Sequence, residues 1–513
     1  MKKLLLCAGV LFTLFTSCKK SKPADETPPV VTGSALDLMR DSVFLYAKED
    51  YYWYDGLPDY ATFNPRSFSG TTDLAALQSE VNKLSQYKIN PLTSKPYEYY
   101  SRNPGQAKYS FIDDGTASGK LNAITGDFGF APFYQYPANT NLYIKYVYPG
   151  SPADLAGVKR GYQIISINGR TALDGTVADN VSFVSNAYSN SSTITMVLKK
   201  PDASTFTVNL TTASYTIKPV ITYKVLDYSA TTGKKIGYIV FNSFVTLTST
   251  QAALTTAFNS FTAAGITDLV VDLRYNGGGY VETAQFLDNL IAPTSANGKT
   301  MFTTYYNSTL AANKETLLKN QVRRDAATNQ LYNYSQIDYS PAKNSETFVK
   351  TGTLNLSRVF FIVSQSTASA SELTINNLRP YMNVQLIGNN TYGKPVGFFD
   401  INIGKYQMYI PEFETKNSAG QGGYYDGMLP GSTDYPGKYV AADDVTKDFG
   451  DETEVWLSQA INYINKGVYL TSTDLQVQST DAAANKLVTD AIAQKLSNKE
   501  FNGMIFQHHK LKQ

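Results

Sequence analysis

FIVSQSTASASELTINNLRPYMNVQLIGNNTYGKPVGF, residues 361–398, passes from an apolar run through small residues to a second apolar run and a lysine loop. The lead-in from Arg358 to Ser364 (RVFFIVS) is short and rich in β-branched and aromatic residues, which predicts a buried strand. Small residues follow from Ser366 to Ser371. Ser369-Ala-Ser-Glu372 fits a helix capping box, and the helix it opens must stop near Pro380, because proline lacks the donor and clashes one turn back. Val384 to Ile387 is a second strand that returns the chain toward the Ser369 end, and the loop after it ends at Gly393-Lys394.

Taken alone, a serine in S-x-x-E is ordinarily a cap, and a Gly-Lys in a loop is ordinarily solvated. Strand, helix and returning strand place both loops on one edge of a sheet, which brings a hydroxyl and an amine together. The two histidines, His508 and His509, lie in the tail, so a Ser-His-Asp arrangement has no base within the folded part. A serine hydrolase built from this chain must use a lysine as base. Burial has to move that amine from about 10.4 toward roughly 7–8, and Val396, Phe398 and Phe399 offer the dry wall.

Thr367-Ala-Ser-Ala-Ser-Glu372 followed by Tyr392-Gly-Lys394 resembles the C-terminal processing peptidases, also called tail-specific proteases. The resemblance implies Ser369 as nucleophile and Lys394, 25 residues later, as general base. Many members of that family place a glutamine four residues after the lysine; here the position is Phe398, and Glu372 or a backbone carbonyl is left as the holder of the ammonium. Upstream, Ile266 to Leu273 predicts a buried strand ending in Arg274-Tyr-Asn-Gly-Gly-Gly279. Three glycines let backbone N–H groups approach a developing negative charge. Asp272 to Gly279 is similar to the glycine motif of the same family, which implies the Gly278 N–H, with Gly277 next, and the Ala370 N–H as oxyanion donors. The dipole of the helix after Ser369 adds to them. Gly427-Met-Leu-Pro-Gly431 loosely matches a further loop of that family.

Pro149-Gly-Ser-Pro152-Ala-Asp-Leu-Ala156-Gly-Val158, then Gly161 and Ile167-Asn-Gly169, resembles a PDZ domain, with strands expected at Leu142–Val147, Gln163–Ile167 and Ile194–Leu198. That implies peptide capture by strand addition, with Asp127, Phe128, Gly129 and Phe130 as the loop for a C-terminal carboxylate. The expected fold class is therefore α/β, a crotonase-like protease core with a PDZ domain and a small helical N-terminal domain. The expected divisions are a leader at 1–18, a flexible tether at 19–35, the helical unit at 36–118, the PDZ domain at 124–212, the peptidase core at 213–470 and a helical extension at 471–513. Within the core, 280–355 reads as a helix and then a polar lid or surface insertion.

The first residues carry Lys2 and Lys3, an apolar run from Leu4 to Phe15 too short to span a membrane, and Thr16-Ser-Cys18. This reads as a secretory signal resembling a bacterial lipoprotein site, with Cys18 lipidated and the protein held at the cell envelope outside the cytoplasm. Cys7 and Cys18 are the chain's two cysteines, which excludes a disulfide or thiol catalysis in the folded part and, with histidine confined to the tail, argues against metal ligation. Without Lys2 and Lys3 the chain carries 43 basic and 43 acidic residues, and nothing suggests nucleic acid. The expected partners are polypeptides with free C-termini and a membrane reached through the lipid; no cofactor is called for. Two other readings fit the same composition: a catalytically silent peptide-binding lipoprotein, and a nutrient-capture lipoprotein whose 38 tyrosines stack on glycans.

Overall fold

A computed structural model describes residues 32–135, 138–325, 328–471, 496, 503–506 and 511–512. The expected leader, Cys18 and most of the tether lie outside the described residues, as does most of the C-terminal extension. Among the described residues no helix is long and apolar enough to cross a membrane.

The central sheet has six strands in the spatial order Val220–Tyr228, Lys234–Phe241, Asp268–Asp272, Arg358–Val363, Asn383–Gly388 and Gly437–Tyr439. The first pair is antiparallel and the rest are parallel. Parallel strands covered on both faces need apolar side chains on both, which is why these segments read as continuous runs rather than alternations. Asp268–Asp272 is buried at every position, and Arg358–Val363 at all but its first. Helices Leu247–Ala264, Val281–Ile291 and Ala370–Leu378 connect or cap these strands, and Val455–Lys466 packs against the strands Lys234–Phe241, Arg358–Val363 and Asn383–Gly388. Parallel order puts the loops after Asp272, Val363 and Gly388 at the same sheet edge, and these carry the glycines, Ser369 and the lysine.

Residues 130–211 form the PDZ sheet, five antiparallel strands at Phe130–Tyr134, Leu142–Val147, Gln163–Ile167, Thr193–Lys199 and Thr205–Thr211. It has its own core around Phe128, Ile144, Val184 and Met196. A buried ion network joins it to the central sheet. Arg160 bonds Asp443 at 2.9 Å and the Tyr275 hydroxyl at 2.7 Å, while Arg274 reaches Asp272 at 2.7 Å, Asp443 at 2.8 Å and Glu454 at 3.1 Å.

The N-terminal region differs from a separate helical unit. Helices Ala35–Asp50 and Asp73–Leu84 form where expected, but Val43, Phe44, Leu77 and Val81 belong to the same apolar cluster as Val359, Phe361 and Leu373. Phe111–Asp113 also adds a strand beside Tyr406–Tyr409. Two helices with one apolar face each cannot close a core, so they complete a neighbour's. The insertion expected at 280–355 is likewise largely structural: Thr300–Tyr306 pairs with Phe413–Asn417, and Tyr306, Tyr339 and Phe348 are buried.

Candidate active site

Ser369 stands immediately before the helix Ala370–Leu378 with φ 58° and ψ −105°. A non-glycine residue holds such angles only where its surroundings over-determine them, and the surroundings here are explicit. The Thr367 hydroxyl donates to the Leu273 carbonyl at 2.7 Å, the Ala368 N–H to the Asn276 carbonyl at 3.1 Å, and the Ser371 hydroxyl to the same carbonyl at 3.0 Å. The serine turn is thus stitched to the glycine loop on both sides of Ser369. Among the described residues the buried Ser369 hydroxyl makes no hydrogen bond, although it stands in capping-box position toward the Glu372 N–H.

The other half of the capping box does much more than cap. Glu372 accepts from the Ser369 N–H at 2.8 Å, the Gly393 N–H at 2.7 Å, the Lys394 N–H at 2.9 Å and the Thr391 hydroxyl. One oxygen, Oε2, takes both the Ser369 and the Lys394 N–H, which ties the two backbones to a single atom. Burial pushes this carboxyl upward, and the four donors pull it back toward the charged form. Glu372 therefore holds the lysine loop by its backbone. Thr391 extends the hold, since its hydroxyl receives the Met428 N–H at 2.7 Å from the loop that includes Gly427–Gly431.

Lys394 is fully buried, and burial drives its amine well below the ordinary lysine range; the carboxylates of Glu98 and Glu372 oppose the shift, and Lys108 adds to it. The Phe398 ring faces the ammonium position at 3.8 Å from Nζ to its centroid, with Tyr109 at 5.5 Å. At the position four residues after the lysine an aromatic face thus meets the amine, a cation–π geometry. Val396 and Phe399 are buried beside it. From the N-terminal region, the Tyr109 hydroxyl donates to the Gly393 carbonyl at 2.6 Å, and Glu98 accepts from the N–H groups of Tyr109 at 2.9 Å and Ser110 at 2.8 Å. Lys108, which burial lowers to about 8, also reaches the Gly393 carbonyl at 3.1 Å. Glu98, Lys108, Tyr109 and Thr391 escaped the sequence reading, since no motif links residues near 100 to a loop near 393.

Gly278 has φ 102°, and a Cβ there would lie 2.9 Å from the Ala368 carbonyl oxygen and 3.0 Å from Ala370 N. The structure therefore brings Gly278 against the start of the helix Ala370–Leu378, next to the Ala370 N–H. The Gly278 N–H itself donates to Asn276 Oδ1 at 2.9 Å, inside its own loop, and the Gly277 carbonyl accepts from Gly503. In the PDZ domain, Asp127 accepts from the Gly129 N–H and the Tyr215 hydroxyl, both at 2.8 Å, and Phe128 is buried in the core. A narrow cleft runs from Asp127, Gly129 and Phe130 past Tyr148 to Gly277. Among the described residues no group of three or more His, Cys, Asp or Glu side chains converges as a metal site.

Comparison with known proteins agrees with this architecture. Residues 235–409 match the sequence model of peptidase family S41, and residues 143–192 match that of a PDZ domain. The chain is 27% identical over 256 residues to a carboxyl-terminal-processing protease of Picosynechococcus, covering 48% of this chain and 49% of that one. It is 30% identical over 169 residues to a chloroplastic C-terminal processing peptidase of Tetradesmus obliquus, covering 31% and 35%. The chain thus spans half or less of the length of these curated relatives. A crystal structure of an S41 protease from Bacteroides fragilis superposes over 82% of this chain and 96% of that one, with a TM-score of 0.51 and 23% identity, a likeness of fold. Residues 235–409 are thus similar to peptidase family S41 and residues 143–192 to PDZ domains, the same two parts on which the C-terminal processing peptidase resemblance of the sequence rests.

Proposed function

We propose that this chain is a serine endopeptidase working through a Ser369–Lys394 dyad on extracytoplasmic polypeptides, recruited by their C-termini through the PDZ domain, with the enzyme anchored by lipid on Cys18. One observation carries the dyad: a single carboxylate oxygen of Glu372 fixes the backbones of both residues, one with a buried, partnerless hydroxyl and the other with a buried amine of depressed basicity. The neutral Lys394 amine takes the Ser369 proton as Oγ attacks the substrate carbonyl. The Ala370 N–H and the Gly278 N–H, swung away from Asn276, hold the oxyanion. Lys394 returns the proton to the leaving amine, and water attacks the acyl-enzyme with the same lysine as base.

The test is cleavage of an unstructured polypeptide by the wild-type chain, Ser369→Ala and Lys394→Ala. Activity confined to the wild type is expected; equal cleavage by all three would defeat the dyad. The catalytically silent peptide binder is favoured by one observation, the Gly278 N–H directed at Asn276 rather than into the site. Peptide binding without cleavage by the wild type selects that reading.

A further inference from the structure

Gly503–Ile505 lies as a parallel strand against the glycine loop, with Gly278 opposite Gly503, Gly279 opposite Met504 and Tyr280 opposite Ile505. Its other edge is also bonded. Gly503 N–H donates to the Gly277 carbonyl at 3.0 Å; across the slot the Phe398 N–H donates to the Met504 carbonyl at 2.9 Å, and the Phe506 N–H to the Phe398 carbonyl at 3.2 Å. The short strand therefore bridges the two loops that flank the dyad, one carrying the expected oxyanion glycine and the other carrying the ring over Lys394. A Cβ on Gly278 would lie 2.3 Å from the Gly503 carbonyl oxygen and 3.0 Å from Ala370 N, so that carbonyl sits beside the N-terminus of the nucleophile helix. Met504, Ile505 and Phe506 are buried; Met504 packs on Gly397, and the Phe506 ring lies 5.6 Å from that of Phe413.

Backbone bonding on both edges, with side chains fitted to apolar walls, is how a sheet edge takes up an extended peptide. Leu496, seven residues before Gly503 in sequence, is buried in the PDZ core and lines the cleft that runs from Asp127 to Gly277. Beyond the slot, Leu511 bridges Ile337, and Lys512 bonds Glu315 at 2.6 Å. Beside the slot the Gly278 N–H donates to Asn276 Oδ1, and among the described residues the Ser369 hydroxyl has no hydrogen-bond partner.

We propose that Gly503–Phe506 is a resident pseudosubstrate, which fills as an added strand the slot an extended polypeptide must enter to reach Ser369, so that the chain rests self-blocked until an incoming polypeptide displaces it. The proposal rests on the Ser–Lys reading for its consequence but not for its geometry, and the experiment separates the two. In full-length Ser369→Ala, hydrogen exchange at the Gly503 and Phe506 amides is measured with and without a saturating synthetic peptide of sequence LSNKEFNGMIF, residues 496–506. Exchange there is expected to rise at least tenfold with peptide while the amides of Arg358–Val363 stay protected; tail amides as slow as that strand at saturation would overturn the proposal. In the otherwise wild-type full chain, Met504→Asp with Ile505→Asp is expected to raise kcat/KM on a short unstructured peptide at least tenfold, and the 496–506 peptide added in trans is expected to reverse the gain. A folded double variant with unchanged or lower kcat/KM counts against self-blocking. If neither chain cleaves anything, the dyad reading fails, and hydrogen exchange still decides whether the slot's occupant is displaceable.

Discussion

Glu372→Gln is the sharpest perturbation the structure offers. Oε1 accepts from the Thr391 hydroxyl and the Gly393 N–H, and Oε2 from the Ser369 and Lys394 N–H groups. With the NH2 toward Ser369 and Lys394, two of the four bonds are lost. Turned the other way it can donate to the Thr391 hydroxyl, and only the Gly393 bond is lost. In either case the survivors lose their charge assistance. Charge-assisted bonds are worth about 1.5–3 kcal/mol each, so losing one or two removes about 1.5–6 kcal/mol, a large part of a typical domain's stability. Relaxation of the lysine loop returns some of this, and the expected loss in urea unfolding is about 3 kcal/mol. The catalytic cost comes from the same event: once Gly393 and Lys394 are released from the oxygen that holds Ser369, the amine is no longer positioned, and kcat should fall at least 100-fold with KM little changed. A Glu372→Gln chain unfolding within about 1 kcal/mol of wild type and retaining half of its kcat would refute the view that this carboxylate aligns the dyad.

Four further outcomes follow from the geometry. Because burial holds the Lys394 pKa below the ordinary range, the neutral base is lost as pH falls through that pKa, and kcat/KM should rise with pH to a plateau; the same lysine lowers stability progressively from about pH 10.4, its unfolded value, down to its folded pKa. Phe398→Leu keeps the wall apolar but removes a cation–π contact worth about 0.5–2 kcal/mol, which favours the charged amine, so the acid limb of that profile should move down by about half to one pH unit; an upward move contradicts the assignment. Ser369→Gly relieves the backbone at φ 58° and discards a hydroxyl with no partner, so the inactive chain should unfold about 1 kcal/mol later than Ser369→Ala, which keeps the strain. Gly278→Ala puts a methyl 2.3 Å from the Gly503 oxygen and 3.0 Å from Ala370 N at a φ of 102°, and both stability and activity should drop, the latter by at least 100-fold in a peptide assay.

The sequence alone was enough for the motif-bearing segments around the site, though not for every local element: the helix Ala178–Ser189 and the strands Thr205–Thr211 and Val220–Tyr228 went unread. Apolar runs bounded by turns marked Arg358–Val363, Asn383–Gly388 and Gln163–Ile167, with errors of no more than a residue or two at their ends. The serine turn, the lysine loop and the glycine loop carry local backbone demands, and local demands leave local signatures. Tertiary structure decided which distant groups meet. Glu372 was legible as a helix-capping residue, yet only the return of the chain after Gly388 brings the lysine loop onto its carboxylate. Phe398 read as part of an apolar wall and as the departure at the family's glutamine position, and its ring faces Nζ because the loop's course aims it there. Glu98 and Tyr109 reach the site because the N-terminal helices share the catalytic core, and Gly503–Phe506 because two short edges were left for a strand to bridge. Such contacts span long stretches of chain, and periodicity, which reports only burial and backbone repeat, contains no term for them.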